Sequence, residues 1–326
     1  MSLTTLGLPN LSATCYANAI VQCWMALPTF RDLMVRLGDP LGLVAFEKQQ
    51  QQQPNDRAYH HLLSTLQRVV APMRINDHND AHEFMQLVIT WLHEKYVWKN
   101  GYPTSARPIS ARPTSARPTS ASTGHAVAYD RYMARNESWV SRTCFSVLFT
   151  DVRCGRCAHT TTNFEHASEI RLTIQDDTKS LDDALRDLFL PSTLADWVCD
   201  RCGEAHPETK RITNLWSSPP ILVLLVDKMR FDREGGKRID RRVDIPKRLK
   251  VRAASRAHGS DNAVYELRSV CEHHGSITHG HYTANVAQDG EWLQIDDTVV
   301  TRGVPPSPKN AYILFFEARD KLRFNK

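Results

Sequence analysis

Two Cys-x-x-Cys pairs restrict the folding of this chain more than any other feature. Cys154 and Cys157 stand in "VRCGRCAH", and Cys199 and Cys202 in "WVCDRCGEAH". Each pair is expected in a knuckle-like turn with its own glycine, Gly155 or Gly203. Four thiolates suit a tetrahedral zinc ion. The spacer between the pairs is longer than in a compact zinc ribbon. The two knuckles are therefore expected at the tips of separate β-hairpins, clipped together by the metal. Four protein ligands leave no open coordination position, so the expected Zn²⁺ is structural and not catalytic.

That reading needs reduced thiols. The stretch "MSLTTLGLPN" has neither a charged n-region nor an apolar h-region, and no apolar run of about 18 residues exists to cross a bilayer. The expectation is a cytoplasmic or nuclear protein with no membrane partner, whose eight cysteines are catalytic, metal-binding or buried. The net charge of +5 comes from interspersed acidic and basic residues, so the total gives no reason to expect a nucleic-acid partner.

The pattern changes along the chain. "CYANAIVQCWMAL", "RAYHHLLSTLQRVVAPM" and "NDAHEFMQLVITWLHEKYV" carry helical periodicity, with Thr14 a candidate N-cap for the first and Asn79 or Asp80 for the third. Gln49 to Gln53 reads as a loop or a helix extension. From Pro103 a five-residue unit repeats as PTSAR, PISAR, PTSAR and PTSA. Almost no large apolar side chain is present there to offset ordering entropy, so residues 103–125 are expected to be a disordered insertion, with a docking or phosphorylation segment as the alternative. The second half is β-rich: "CFSVLFTDVRC", "EIRLTI", "PPILVLLVDKMRF", "AVYELRSVCEH", "HYTANVAQ", "EWLQIDD" and "AYILFFEA" read as strands. The basic tract from Arg230 to Arg252 holds a Gly235-Gly236 turn and reads as a solvated hairpin, or as a nuclear-localisation patch. A helical block followed by a β block implies an α+β fold.

Cys15 begins the first helix, and Asn10 lies in the loop before it. A thiol at a helix N-terminus beside an imidazolium ionises readily. The base is sought in "HHGSITHGHY", where His281 opens a strand and "WLQIDD" follows on the next one. Asp296 or Asp297 is then placed to orient His281. The Asn10 side-chain amide and the Cys15 backbone N–H would form an oxyanion hole, each donor lowering an acyl-transfer barrier by about 2–4 kcal/mol. These residues describe a Cys-His-Asp protease. They do not identify its substrate.

The substrate comes from a resemblance. "GLPNLSATCYANAIVQ" resembles the cysteine box of the ubiquitin-specific proteases, papain-like cysteine deubiquitinases. "NDAHEF" is similar to that family's Gln-Asp-Ala-Gln/His-Glu-Phe helix, and "YELRSVCEHHGSITHGHYTANV", "EWLQIDDTVV" and "AYILFFEA" to its histidine box and terminal strand. The match runs in order from Gly7 to Ala318 apart from the repeat. It implies a single catalytic domain over 1–326 shaped as a right hand: helical thumb 1–102, insertion 103–125, thumb end and zinc-bearing fingers 126–215, β palm 216–320. It also implies hydrolysis of the bond after ubiquitin's C-terminal glycine, through a thioester on Cys15. His281 would be the base, Asp296 its orienting carboxylate, Asn10 the oxyanion residue and Asp297 a supporting group. Asp80, Glu83, His273, Gly280 and Tyr282 would line the channel for ubiquitin's basic tail. The expected partners are ubiquitin and ubiquitinated proteins, acted on by a monomer. A protease for a ubiquitin-like modifier, an inactive zinc-stabilised ubiquitin-binding module and an ordinary papain-like protease are the competing readings. The chain departs from the family at Ser12-Ala13, where Gly-Asn is usual, and at Asn79, where Gln is usual. Ser12 in place of glycine is expected to stiffen or shift the oxyanion loop.

Overall fold

The computed structural model describes residues 7–52, 56–71, 73–98, 129, 132–133, 136–232, 235–254, 263–276 and 279–319. The PTSAR repeat lies outside them. Helices come first: α1 (Cys15–Met25), α2 (Pro28–Arg36), α3 (Leu43–Gln52), α4 (Asp56–Val69) and α5 (Ala81–Tyr96). The glutamine tract extends α3 as far as Gln52. Residues Cys15 to Trp24 of α1 are all buried, which its apolar side chains on every face require. α4 buries one stripe, Ala58, Tyr59, Leu62, Leu63, Leu66 and Val69. Asp80 caps α5, accepting from the backbone N–H groups of His82 (2.8 Å) and Glu83 (3.1 Å).

A short helix, α6 (Trp139–Cys144), leads into β1 (Ser146–Arg153), β2 (Thr160–Ala167) and β3 (Ile170–Thr173). Then come α7 (Leu181–Leu188), β4 (Ser192–Thr193), β5 (Lys210–Ser217), β6 (Ile221–Asp227), β7 (Met229–Asp232) and β8 (Gly235–Arg238). The chain closes with β9 (Arg248–Val251), β10 (Ala263–Gly275), β11 (Gly280–Gln288), β12 (Glu291–Asp296), β13 (Val299–Arg302) and β14 (Ala311–Ala318). Four strands form a sheet ordered β2-β1-β5-β4, the fingers. The palm is an eight-stranded sheet ordered β13-β12-β11-β10-β14-β6-β3, with β9 also on β10. The 126–215 stretch divides between them, because β3 leaves the fingers and pairs parallel with β6. Gly235 and Gly236 stand in β8 opposite Asp232 and Phe231, so they are ladder residues and not the turn of the β7–β8 hairpin.

Strands β6 and β14 are buried on both faces, which explains their unbroken apolar runs. Ile221, Val223, Leu225, Ile313 and Phe315 join α1, α2, α4 and α5 in one core. Leu222, Leu224, Val226, Leu314 and Phe316 join α7 and β9 in a second core on the other face. Polar ties reinforce the first contact. The Ser269 hydroxyl donates to the Cys23 carbonyl at 3.0 Å, and buried Glu317 accepts from the Thr29 N–H at 2.9 Å and from Arg268 at 3.1 Å.

Candidate active site

The loop from Gly7 to Thr14 lies on the two-residue turn Asp297-Thr298 between β12 and β13. The Leu8 N–H donates to the Asp297 carbonyl at 2.8 Å, and a Cβ on Gly7 would lie 2.4 Å from the Thr298 backbone. Only glycine permits that approach. Asn10 is fixed at both ends of its amide. Its Oδ1 accepts from the Thr14 N–H at 3.0 Å, and its Nδ2 donates to Asp297 Oδ2 at 2.9 Å. The other Asp297 oxygen accepts from Asn18 Nδ2 at 2.8 Å. Thr14 occupies the N-cap position of α1, but its hydroxyl accepts from the Leu11 N–H at 3.0 Å instead of capping the helix. Ser12 has φ +72°. It therefore adopts the left-handed conformation that glycine takes without strain, at a cost of roughly 1–2 kcal/mol. The loop keeps a glycine-like path despite the serine.

Opposite this loop, on β11 and β12, His281 Nε2 meets Asp296 Oδ1 at 2.6 Å. That contact uses Nε2 and leaves Nδ1 for the Cys15 thiol, whose interaction with the imidazole is the first cause of the ring's raised pKa. Partial burial opposes that rise, and the Asp296 carboxylate adds to it. The net result is a His281 pKa of about 9, so the ring is protonated at neutral pH.

Alternation along a strand turns Asp297 away from His281, to order the oxyanion region through a water. Asp297 does hold Asn10, but by direct contact. Asp297 has φ +49° and belongs to the turn, so strand alternation does not govern it, and its carboxylate bonds Asn10 and Asn18 directly. Asn18 was not singled out from the sequence, although a buried asparagine one turn beyond Cys15 in an apolar helix is a usable signal.

A cleft of about 440 Å³ runs from Cys15 between the helices and the sheet, lined by Ala13, Tyr16, Asn79, Asp80, Glu83, His273, Gly280 and Tyr282 among others. Asp80 is committed to its own chain. Besides capping α5, it accepts from the hydroxyls of Tyr282 at 2.8 Å and Tyr312 at 3.0 Å, joining α5 to β11 and β14. Burial and the Asp80 charge hold both phenols well above their usual range. Glu83 is the exposed carboxylate of the cleft. His273 is buried and packs on Tyr282 with ring centroids 4.8 Å apart. Burial, then Arg238, pushes its pKa below the usual histidine range, and the Asp80 charge opposes them. A Cβ on Gly280 would lie 1.9 Å from His273 Nε2, so the wall here admits no side chain.

The two cysteine knuckles form the tips of β1–β2 and β4–β5. Cys154 and Cys202 sulfurs lie 3.8 Å apart, and those of Cys157 and Cys199 lie 3.7 Å apart. Sulfurs at about 2.3 Å from a tetrahedral zinc are separated by about 3.8 Å, so the four residues fit that ion. The knuckles share one backbone design. The fourth residue after the first cysteine is left-handed in each, Ala158 with φ +57° and Gly203 with φ +72°. Gly155 serves packing instead, since a Cβ there would lie 2.5 Å from His206 Nδ1 on the other knuckle.

Known proteins resemble this chain in family and in fold. A family model described as "Ubiquitin carboxyl-terminal hydrolase" matches residues 6–316. Ubiquitin carboxyl-terminal hydrolase 17-like protein B of Mus musculus is 26% identical over 97% of this chain and 64% of its own length. Ubiquitin carboxyl-terminal hydrolase 21 of Homo sapiens is 25% identical over 96% of this chain and 61% of its own length. The chain thus spans less than two thirds of these relatives. Among solved structures, the Ubp8–Sgf11–Sus1–Sgf73 SAGA DUB module bound to monoubiquitin superposes with a TM-score of 0.72 at 19% identity, over 96% of this chain and 69% of that one. That likeness establishes the right-hand fold. With a family match over nearly its whole length, the chain belongs to the ubiquitin carboxyl-terminal hydrolase family.

Proposed function

We propose that the chain is a cysteine-type deubiquitinase that cleaves the (iso)peptide bond after ubiquitin's C-terminal glycine. The observation that carries this reading is the line Cys15–His281–Asp296 at the end of a cleft that no side chain enters at Gly280. The thiolate of Cys15 attacks the glycine carbonyl carbon, and the oxyanion is met by the Cys15 N–H and the Asn10 amide. His281 gives its Nδ1 proton to the leaving amine as the C–N bond breaks, forming a thioester. It then takes a proton from the water that attacks the thioester carbonyl; the C–S bond breaks, the ubiquitin carboxylate leaves, and the Cys15 thiolate beside protonated His281 is regenerated. Asp296 holds the imidazole through Nε2 in both steps. Glu83 faces the basic tail of ubiquitin, while Asp80 shapes the wall through Tyr282 and Tyr312.

Cys154, Cys157, Cys199 and Cys202 hold one structural Zn²⁺, which supplies a cross-link between the fingertips. The protein acts as a monomer in the cytoplasm or nucleus, without nucleic acid. The decisive test is labelling by ubiquitin, and separately by ubiquitin-like modifiers, each carrying a C-terminal electrophile. Ubiquitin should label Cys15, and Cys15→Ala should abolish both labelling and turnover while the fold and ubiquitin binding persist. Labelling by a related modifier alone would reassign the substrate. Turnover by Cys15→Ala would remove the mechanism.

A further inference from the structure

The helix-facing side of the palm is not fully covered by helices. At its β9 end the strand register sets Arg248 beside Glu266 and Lys250 beside Val264. Glu266 in turn lies beside Glu317 on β14. On this face α2 reaches as far as Glu317, whose carboxylate is used by the Thr29 N–H and Arg268. Beyond it, among the described residues, no helix covers the face. Arg248 is 61% exposed and Arg319 is 54% exposed, and the two share one carboxylate, Glu266. Lys250 and Arg252 are exposed and continue the alternation of Arg248, while Leu249 and Val251 point into the second core. Among the described residues, Lys250 and Arg252 have no ion-pair partner, and β9 pairs with β10 alone. The tract 237–252 holds eight basic and two acidic residues in a chain whose net charge is only +5, and three of the eight, Arg248, Lys250 and Arg252, alternate along this face.

We propose that β9 is a docking edge for an acidic, extended segment of a partner protein. A strand laid along β9 would place every second side chain on the face of Arg248, Lys250 and Arg252, so its signature is Asp or Glu at alternate positions. Glu266 sits inside the patch and disfavours a continuous phosphate backbone, which points to a peptide over nucleic acid. None of these residues lines the catalytic cleft.

The test uses the full chain and a labelled ten-residue peptide with Glu at alternate positions, read by fluorescence anisotropy. Its controls are a permuted peptide with the same Glu residues in one block, a Gln analogue and a DNA duplex of equal charge. The alternating peptide should bind at least tenfold tighter than each control, and the Lys250→Glu, Arg252→Glu double variant should weaken it at least tenfold. Hydrolysis of a ubiquitin–fluorophore substrate should be unchanged in that variant, which separates this proposal from the catalytic one. Equal binding of the permuted peptide, tighter binding of DNA, or no effect of the double substitution would overturn it.

Discussion

The two neighbouring aspartates give the sharpest test, because they are expected to fail in different ways. Asp296 makes one charge-assisted hydrogen bond, to His281, and its side chain is 53% exposed. Such bonds contribute about 1.5–3 kcal/mol, and exposure favours the lower end. Asp296→Ala should therefore lower kcat/KM by about 10- to 100-fold and lower Tm by about 2 °C at most. Asp297 is bonded to two amides, one of them on Asn18, which is only 3% exposed. Asp297→Ala would strand that buried amide at about 1–3 kcal/mol and place alanine at φ +49°, adding roughly 1 kcal/mol. The sum, about 3 kcal/mol, lowers Tm by about 5 °C in a chain of this size. Its rate loss should be the smaller, since Asn10 remains held by the Thr14 N–H. Asp297→Asn keeps one acceptor and tolerates the left-handed turn, so it should fall between wild type and alanine in Tm. Ubiquitin–fluorophore hydrolysis and differential scanning fluorimetry read the two effects separately. An Asp297→Ala protein with unchanged Tm and a larger rate loss than Asp296→Ala would show that the roles are exchanged.

Other outcomes follow from the same geometry. His281 is raised from its usual 6.5 to about 9 in the folded chain, so its stabilisation is complete below pH 6.5 and is lost as pH rises through 9. The pH profile of kcat/KM should fall on its alkaline side near pH 9, and at a lower pH in Asp296→Ala. Gly280→Ala must displace His273, held against Tyr282, so ubiquitin-electrophile labelling should slow by at least tenfold, a barrier of about 1–3 kcal/mol. Cys199→Ser should release the metal, seen by elemental analysis, and lower thermal stability more than it changes the labelling rate of Cys15.

Much of the site was legible because its residues sit in regular elements. Cys15 opens a helix, His281 opens a strand, and the cysteine knuckles crown two hairpins. Helices α1, α4 and α5 and the apolar strands β6 and β14 followed from periodicity; α2 and the short helices α6 and α7 did not. What escaped depended on backbone conformations that periodicity does not encode. Asp297 reads as the end of a strand, yet a left-handed turn redirects it onto Asn10 and Asn18. Ser12 looks like an obstacle in the oxyanion loop, yet it adopts the glycine conformation. Asp80 is recognisable as a carboxylate in the right place, but its two tyrosine partners come from strands far along the chain, and no local pattern announces them. The basic edge at β9 was legible as a charge run. That it forms one face of a strand required the register.

The first hydrophobic core draws on α1, α2, α4 and α5 and on five palm strands at once, so α1, which carries Cys15, and β11, which carries His281, are parts of one cooperative unit. Neither side can melt or swing away without exposing apolar surface belonging to the other. Hydrogen exchange should therefore report a common, high opening free energy for the amides of α1 and β11, while the fingertips beyond β1 and β5 exchange independently. Access to Cys15 must then be governed by the loops at the rim and by the width of a fixed slot, since hinge closure of one half on the other would have to break the core itself.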